Sequence, residues 1–87
     1  MKNIQFSGQA YDELLDWVEA DPKLFEKIKT LLKEISSDPF KGTGKPEPLK
    51  HSMRGWWSRR INSEHRIIYK MVDGVIWVDS LRGHYDD

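Results

Sequence analysis

Asp38-Pro39-Phe40-Lys41-Gly42-Thr43-Gly44-Lys45-Pro46-Glu47-Pro48 divides this 87-residue chain into two differently patterned parts. With three prolines and two glycines, the stretch reads as a loop with stiff points. Before it, apolar residues recur at helical spacing; after it, the period becomes two. Immediately upstream, Leu24, Phe25, Ile28, Leu31, Leu32 and Ile35 form one stripe. Asp21-Pro22 supplies a capping acid and then a proline at the first helical position. This helix is expected to stop near Ser36 or Ser37, because the residue before Pro39 disfavours helix. Further upstream, Tyr11, Leu14, Leu15 and Val18 predict an amphipathic helix over 8–20 with Ser7 as its cap. The two helices should form an antiparallel hairpin, and the alternating Lys2–Ser7 predicts a short strand ahead of them. Downstream, strands are expected near 48–52, 55–62, 65–72 and 74–81, with turns at Asn62-Ser63-Glu64 and Asp73-Gly74. The expected fold class is α+β: an N-terminal strand, a two-helix hairpin and then an antiparallel β-meander, in a single domain over 1–87.

A chain of this length buries a little over ~60% of its unfolded surface, so the core is small. Four Trp, three Tyr and three Phe help to fill it. With no cysteine, disulfides and thiolate metal sites are excluded. No apolar run approaches ~18 residues and no signal peptide is visible, which leads us to expect a soluble, cytoplasmic protein with no membrane segment.

The formal net charge is zero, but its distribution is uneven. Residues 1–40 hold five basic and eight acidic residues, a net of −3. Residues 41–70 hold eight basic residues against Glu47 and Glu64, a net of +6, and residues 71–87 return to −3. A basic middle third suits an anion-binding surface, though a solvated face is the plainer reading of charge alone. Register sharpens the point. If 62–64 form a three-residue loop, Arg60 lies opposite Arg66 on one face, where like charges repel unless an anion sits between them. A two-residue loop would pair Ile61 with Arg66 instead.

Glu47, Lys50, His51, Arg60, Arg66, His84 and Tyr85 are the polar groups that could gather there. A carboxylate, an imidazole and several cations suit RNA cleavage: the first takes a proton from the 2′-hydroxyl, the second protonates the leaving 5′-oxygen, and the cations stabilise the phosphate. No metal or other cofactor is called for, since the His and acids show no zinc-like spacing. Singly, each residue has a structural reading. Glu47 between prolines is a solvated loop acid, Lys50 and His51 are surface residues at a strand start, and His65 is structural. Arg59 and Arg60 must point to opposite faces; the one away from the site would pair with helix acids such as Asp12, Glu13 or Asp16. Trp56 and Trp57 split likewise, and Tyr69 and Trp77 read as core or sheet face. A ribonuclease, a non-enzymatic binder and a plain RNA-binding module all remain open from the residues alone.

Gly42-Thr43-Gly44-Lys45-Pro46-Glu47-Pro48-Leu49-Lys50-His51, Gly55-Trp56-Trp57-Ser58-Arg59-Arg60-Ile61, Glu64-His65-Arg66-Ile67-Ile68-Tyr69 and His84-Tyr85 together resemble the YoeB toxins (Txe/YoeB, within the RelE/ParE superfamily) over almost the full length. The resemblance implies a microbial-RNase-like fold and a ribosome-dependent endoribonuclease that cuts mRNA and so inhibits translation. By position it implies Glu47 as general base, His84 as general acid, Arg66 on the transition-state phosphate and Tyr85 holding substrate, with Lys50, His51 and Arg60 supporting. It also implies a YefM-like antitoxin, the ribosome and mRNA as partners, operator DNA only through the antitoxin complex, and a homodimer. A ParE-like gyrase inhibitor, or a degenerate toxin acting only in a repressor complex, is the alternative within the superfamily. The chain departs from the family pattern at Gly83, where an aromatic is typical, and at Asp86-Asp87 after the tyrosine. Acids beside His84 would favour its protonated form.

Overall fold

The computed structural model describes residues 2–83. Strand β1 (Asn3–Phe6) leads into helix α1 (Gly8–Ala20), helix α2 (Pro22–Ser37), strand β2 (Glu47–Pro48), a 3-10 turn (His51–Met53), and strands β3 (Trp57–Arg60), β4 (Arg66–Val72) and β5 (Val75–Ser80). The sheet order is β1-β5-β4-β3-β2. The meander is antiparallel as expected, but β1 joins its far edge parallel to β5, which makes the sheet mixed.

Local chemistry sets the helix ends. Ser7 Oγ accepts from Ala10 N–H at 2.9 Å, capping α1, and donates to the Asp79 carbonyl at 2.7 Å. Asp21 serves both helices: its N–H closes α1 on the Trp17 carbonyl, and its carboxylate accepts from Leu24 N–H at 3.1 Å to open α2. Both helices pack on one sheet face, where Ile28, Leu31, Leu32 and Ile35 of α2 meet Ile67, Tyr69, Ile76 and Val78.

Helix α1 has the expected span but not the expected buried face. Ala10, Glu13 and Trp17 face the core with Leu14 partly buried, while Tyr11, Leu15 and Val18 are exposed. The Ser7–Asp79 hydrogen bond sets how the helix is rolled, and Glu13 and Trp17 reach inward to backbone groups. The strand expected at 48–52 is also absent. Leu49 N–H still donates to the Trp56 carbonyl at 2.9 Å, but beyond it the chain enters the 3-10 turn, where His51 takes a positive φ of 54°. The backbone therefore leaves the sheet after Leu49.

Arg59 is fully buried on the helix-facing side of β3. Its partners are not the α1 acids. Nη2 donates to the Asp38 and Lys41 carbonyls at 2.6 Å each, Nε donates to Tyr69 Oη at 3.2 Å, and Nη1 lies 3.5 Å from Glu34 Oε1. Tyr69 Oη–H in turn donates to the Pro39 carbonyl at 2.6 Å. Burial pushes the Tyr69 hydroxyl pKa up, with Arg59 opposing, so the hydroxyl stays a donor at neutral pH. Thr43 donates its N–H and hydroxyl to the two Glu34 oxygens at 2.9 and 2.7 Å. Gly42 is required here, because a Cβ would stand 2.6 Å from Glu34 Oε1 and 2.7 Å from Arg59 Nη1. The Pro/Gly loop is thus wrapped around a guanidinium.

Arg59→Met should cost ~3–5 kcal/mol in urea unfolding, because the part-buried Asp38 and Lys41 carbonyls and the buried Tyr69 hydroxyl lose their donor. Exposed Arg60→Met should stay within ~0.5 kcal/mol. Thr43's two hydrogen bonds, with Arg59 adding, hold the Glu34 carboxyl below its ordinary value of 4.5. Its stabilisation is complete above that pH and is lost as pH falls through the lower folded value. Glu34→Gln should therefore flatten the fall in urea midpoint that the wild type shows below about pH 4.5.

Candidate active site

The Asn62-Ser63-Glu64 turn decides the register that the sequence leaves open. Asn62 Oδ1 accepts from Glu64 N–H at 2.9 Å and His65 N–H at 2.8 Å, and Ile61 N–H donates to the His65 carbonyl at 2.9 Å. This is a three-residue loop, and Arg60 stands opposite Arg66. Ser58 pairs with Ile68 on β4 and with Glu47 on β2. Alternation then puts Glu47, Ser58, Arg60 and Arg66 on the face away from the helices.

There Arg66 Nη1 lies 3.0 Å from Glu47 Oε1 and 3.4 Å from the buried Ser58 hydroxyl. The Glu47 side chain is 57% exposed and that of Arg66 23%, so the ion pair adds at most ~1 kcal/mol to stability. Its consequence is geometric: a half-exposed carboxylate is held beside a guanidinium. Arg60 is exposed, and its side chain has no partner among the described residues. Its N–H donates to the Gly44 carbonyl at 2.7 Å, tying the loop to the strand beside the site. Lys50 and His51 flank the turn after β2 and, with Leu49 and Arg54, line a hollow of about 320 Å³. Glu47, Arg60 and Arg66 are therefore brought together, while Lys50 and His51 border a neighbouring depression. His84 and Tyr85 lie outside the described residues. Among the described residues, no group of three or more His, Cys, Asp or Glu is arranged to hold a metal ion. None of their helices is long and apolar enough to cross a membrane.

The chain leading to His84 is held at three successive residues. Leu81 N–H donates to Glu13 Oε1 at 2.7 Å, and Trp17 Nε1–H donates to the Leu81 carbonyl at 2.8 Å. Arg82 pairs with Asp16 at 3.1 Å. Gly83 N–H donates to His65 Nδ1 at 2.9 Å, and its carbonyl accepts from Arg66 N–H at 2.9 Å. His65 is then an acceptor at Nδ1, its ring set edge-on to Trp17 with centroids 5.0 Å apart. The structural reading of His65 holds. The α1 acids named as partners for an arginine of β3 serve this segment instead: Glu13 binds backbone and Asp16 binds Arg82. Sequence reasoning missed Glu13 and Trp17 as anchors; their i, i+4 spacing on α1 was the available signal, but it names no partner.

Fold and sequence together place this protein in the toxin class of bacterial type II toxin–antitoxin systems. The chain belongs to the YoeB-like toxin family, whose profile matches residues 6–85. It is 44% identical over 80 residues to Toxin YoeB of Escherichia coli K12, covering 92% of this chain and 95% of that one. The YoeB dimer structure from Staphylococcus aureus superposes with a TM-score of 0.89 at 42% identity, covering 97% of this chain and 98% of that one. The heterotetrameric YoeB–YefM complex from the same organism gives 0.88 at 42%, covering 98% and 99%.

His65→Phe keeps a ring against Trp17 but removes the acceptor for Gly83. The Gly83 amide should exchange its hydrogen roughly 2- to 10-fold faster by NMR, with Ile67 unchanged. Equal Gly83 exchange in both proteins would show that this hydrogen bond does not hold the segment.

Proposed function

We propose that this protein is a ribosome-dependent endoribonuclease that cuts mRNA and thereby inhibits translation. The observation that carries the reading is the register-fixed group of Glu47, Arg60 and Arg66 on one sheet face, with Glu47 and Arg66 3.0 Å apart. Opposed arginines favour an anion between them. A phosphodiester there would meet Arg66 at the oxygens that gain charge and Glu47 at the 2′-hydroxyl. Glu47 takes the hydroxyl proton, the 2′-oxygen attacks phosphorus, and the 5′-oxygen leaves. His84 donates the proton that the leaving oxygen requires, and Tyr85 holds the substrate. Arg60, Lys50 and His51 carry the flanking phosphates.

The family context supports the remaining assignments. The Staphylococcus aureus relatives form a dimer and a complex with YefM. Here the partners are a YefM-like antitoxin, a second copy of the chain, and the ribosome with its mRNA; operator DNA is met only through the antitoxin complex. The chain acts as one domain over 1–87, in the cytoplasm.

Induced expression followed by mapping of mRNA 5′ ends tests the assignment. Wild type should generate new ends, and Glu47→Gln and His84→Ala should each reduce cleavage by ~10²–10⁴-fold. Intact mRNA accompanied by a DNA-damage response, or undiminished cleavage by both variants, would overturn it.

A further inference from the structure

Two rows along the sheet from the Glu47–Arg66 pair, the same face carries a second constellation with no part in the chemistry above. Lys70 follows Arg66 on β4 by four residues, ~13 Å at the ~3.3 Å rise of a strand. Its Nζ sits 4.4 Å from the centroid of the Trp56 ring. On the other side, Lys70 pairs in register with Trp77, which is 41% exposed. Trp77 in turn pairs with Gln5 at the sheet edge. The row therefore reads Lys70, Trp77, Gln5 across three paired strand positions, with Trp56, the residue before β3, beside Lys70.

We propose that this row is a binding site for single-stranded RNA flanking the scissile phosphate, in which Trp77 and Trp56 stack bases and Lys70 contacts the backbone. The site rests on the RNA-cleaving reading for its purpose, though not for its geometry. One exposed tryptophan is ordinary on a protein surface. Two indoles flanking an ammonium, in line with a paired-arginine site, are a more specific arrangement. Single-strand binders combine a cationic track with aromatic faces, because every nucleotide offers both a phosphate and a π-face. The charge of the face agrees with this occupant: Arg60, Arg66 and Lys70 lie on it against two carboxylates, Glu47, which is paired with Arg66, and Asp79, two residues beyond Trp77 on β5. A second copy laid face to face would oppose these cations to one another. An acidic peptide would satisfy the cations but has no succession of flat faces for the indoles.

The test measures fluorescence anisotropy of a labelled 12-nucleotide RNA carrying 2′-O-methyl groups, which blocks 2′-hydroxyl attack, and of the same oligomer with abasic riboses. Wild type should bind the RNA about tenfold more tightly than the abasic oligomer. Trp77→Ala should erase that preference, and Trp77→Phe should retain it. Lys70→Ala should weaken both oligomers and lower the slope of log affinity against log salt by about 0.7. The proposal is overturned if wild type shows no preference for bases. It is equally overturned if Trp77→Ala and Trp56→Ala bind both oligomers as wild type does, including the case in which they lose only dimerisation or antitoxin binding. Cleavage is read separately by Glu47→Gln on ribosomes. Trp77-dependent RNA binding by a wild type that cuts nothing would uphold this site and overturn the ribonuclease reading.

Discussion

The buried guanidinium of Arg59 is the contact on which the rest of the molecule depends. A charged group in a small core is tolerated only when its donors are satisfied. Here they are met by the carbonyls of Asp38 and Lys41, the Tyr69 hydroxyl and the Glu34 carboxylate. Those carbonyls belong to the loop that ends at Glu47, so its path is fixed by what Arg59 needs. Gly42 and Gly44 fit the same constraint, since a side chain at either would collide with Arg59 or with the backbone of Arg60. Alternation supplies the other half: with Arg59 turned inward, Arg60 must face outward beside Arg66.

The candidate site thus has two independent supports that meet at one residue. The guanidinium of Arg66 reaches Glu47, whose position follows from the Arg59-bound loop. The backbone N–H of Arg66 holds the Gly83 carbonyl, whose position follows from α1 and His65. Glu13 and Trp17 fasten the end of β5 to α1 at Leu81, so the first helix serves the site although it lies on the opposite face of the sheet. Gly83 stands at a backbone position with φ of 75°, which glycine adopts without strain. Both of its polar backbone groups are used, so the segment is attached there without a side chain.

Much of this was legible in the order of residues. Helix spans, the capping roles of Ser7 and Asp21, the change of period at Asp38–Pro48, and the α+β class all follow from local propensities and spacing. So does the pairing of Arg60 with Arg66 on one face of the sheet, once the loop length is known. The failures share one cause. The exposed Tyr11, Leu15 and Val18 stripe was apolar enough to pass for the core face, but the roll of α1 depends on Asp79 and Leu81, far along the chain. Charge alone pairs the inward arginine of β3 with acids of α1, whereas the Arg59 guanidinium is satisfied mainly by loop carbonyls that no composition reveals.

The sequence by itself determined which segments are helical, where the chain turns, and which residue types are available for chemistry, because those depend on neighbours within a few positions. Tertiary structure alone decided which side of α1 is buried, that β1 lies parallel to β5, and which arginine enters the core. It also decided that Glu47, Ser58 and Arg66 meet. These outcomes depend on hydrogen bonds and burial between groups widely separated along the chain, where satisfying one buried donor or acceptor fixes the position of a distant backbone.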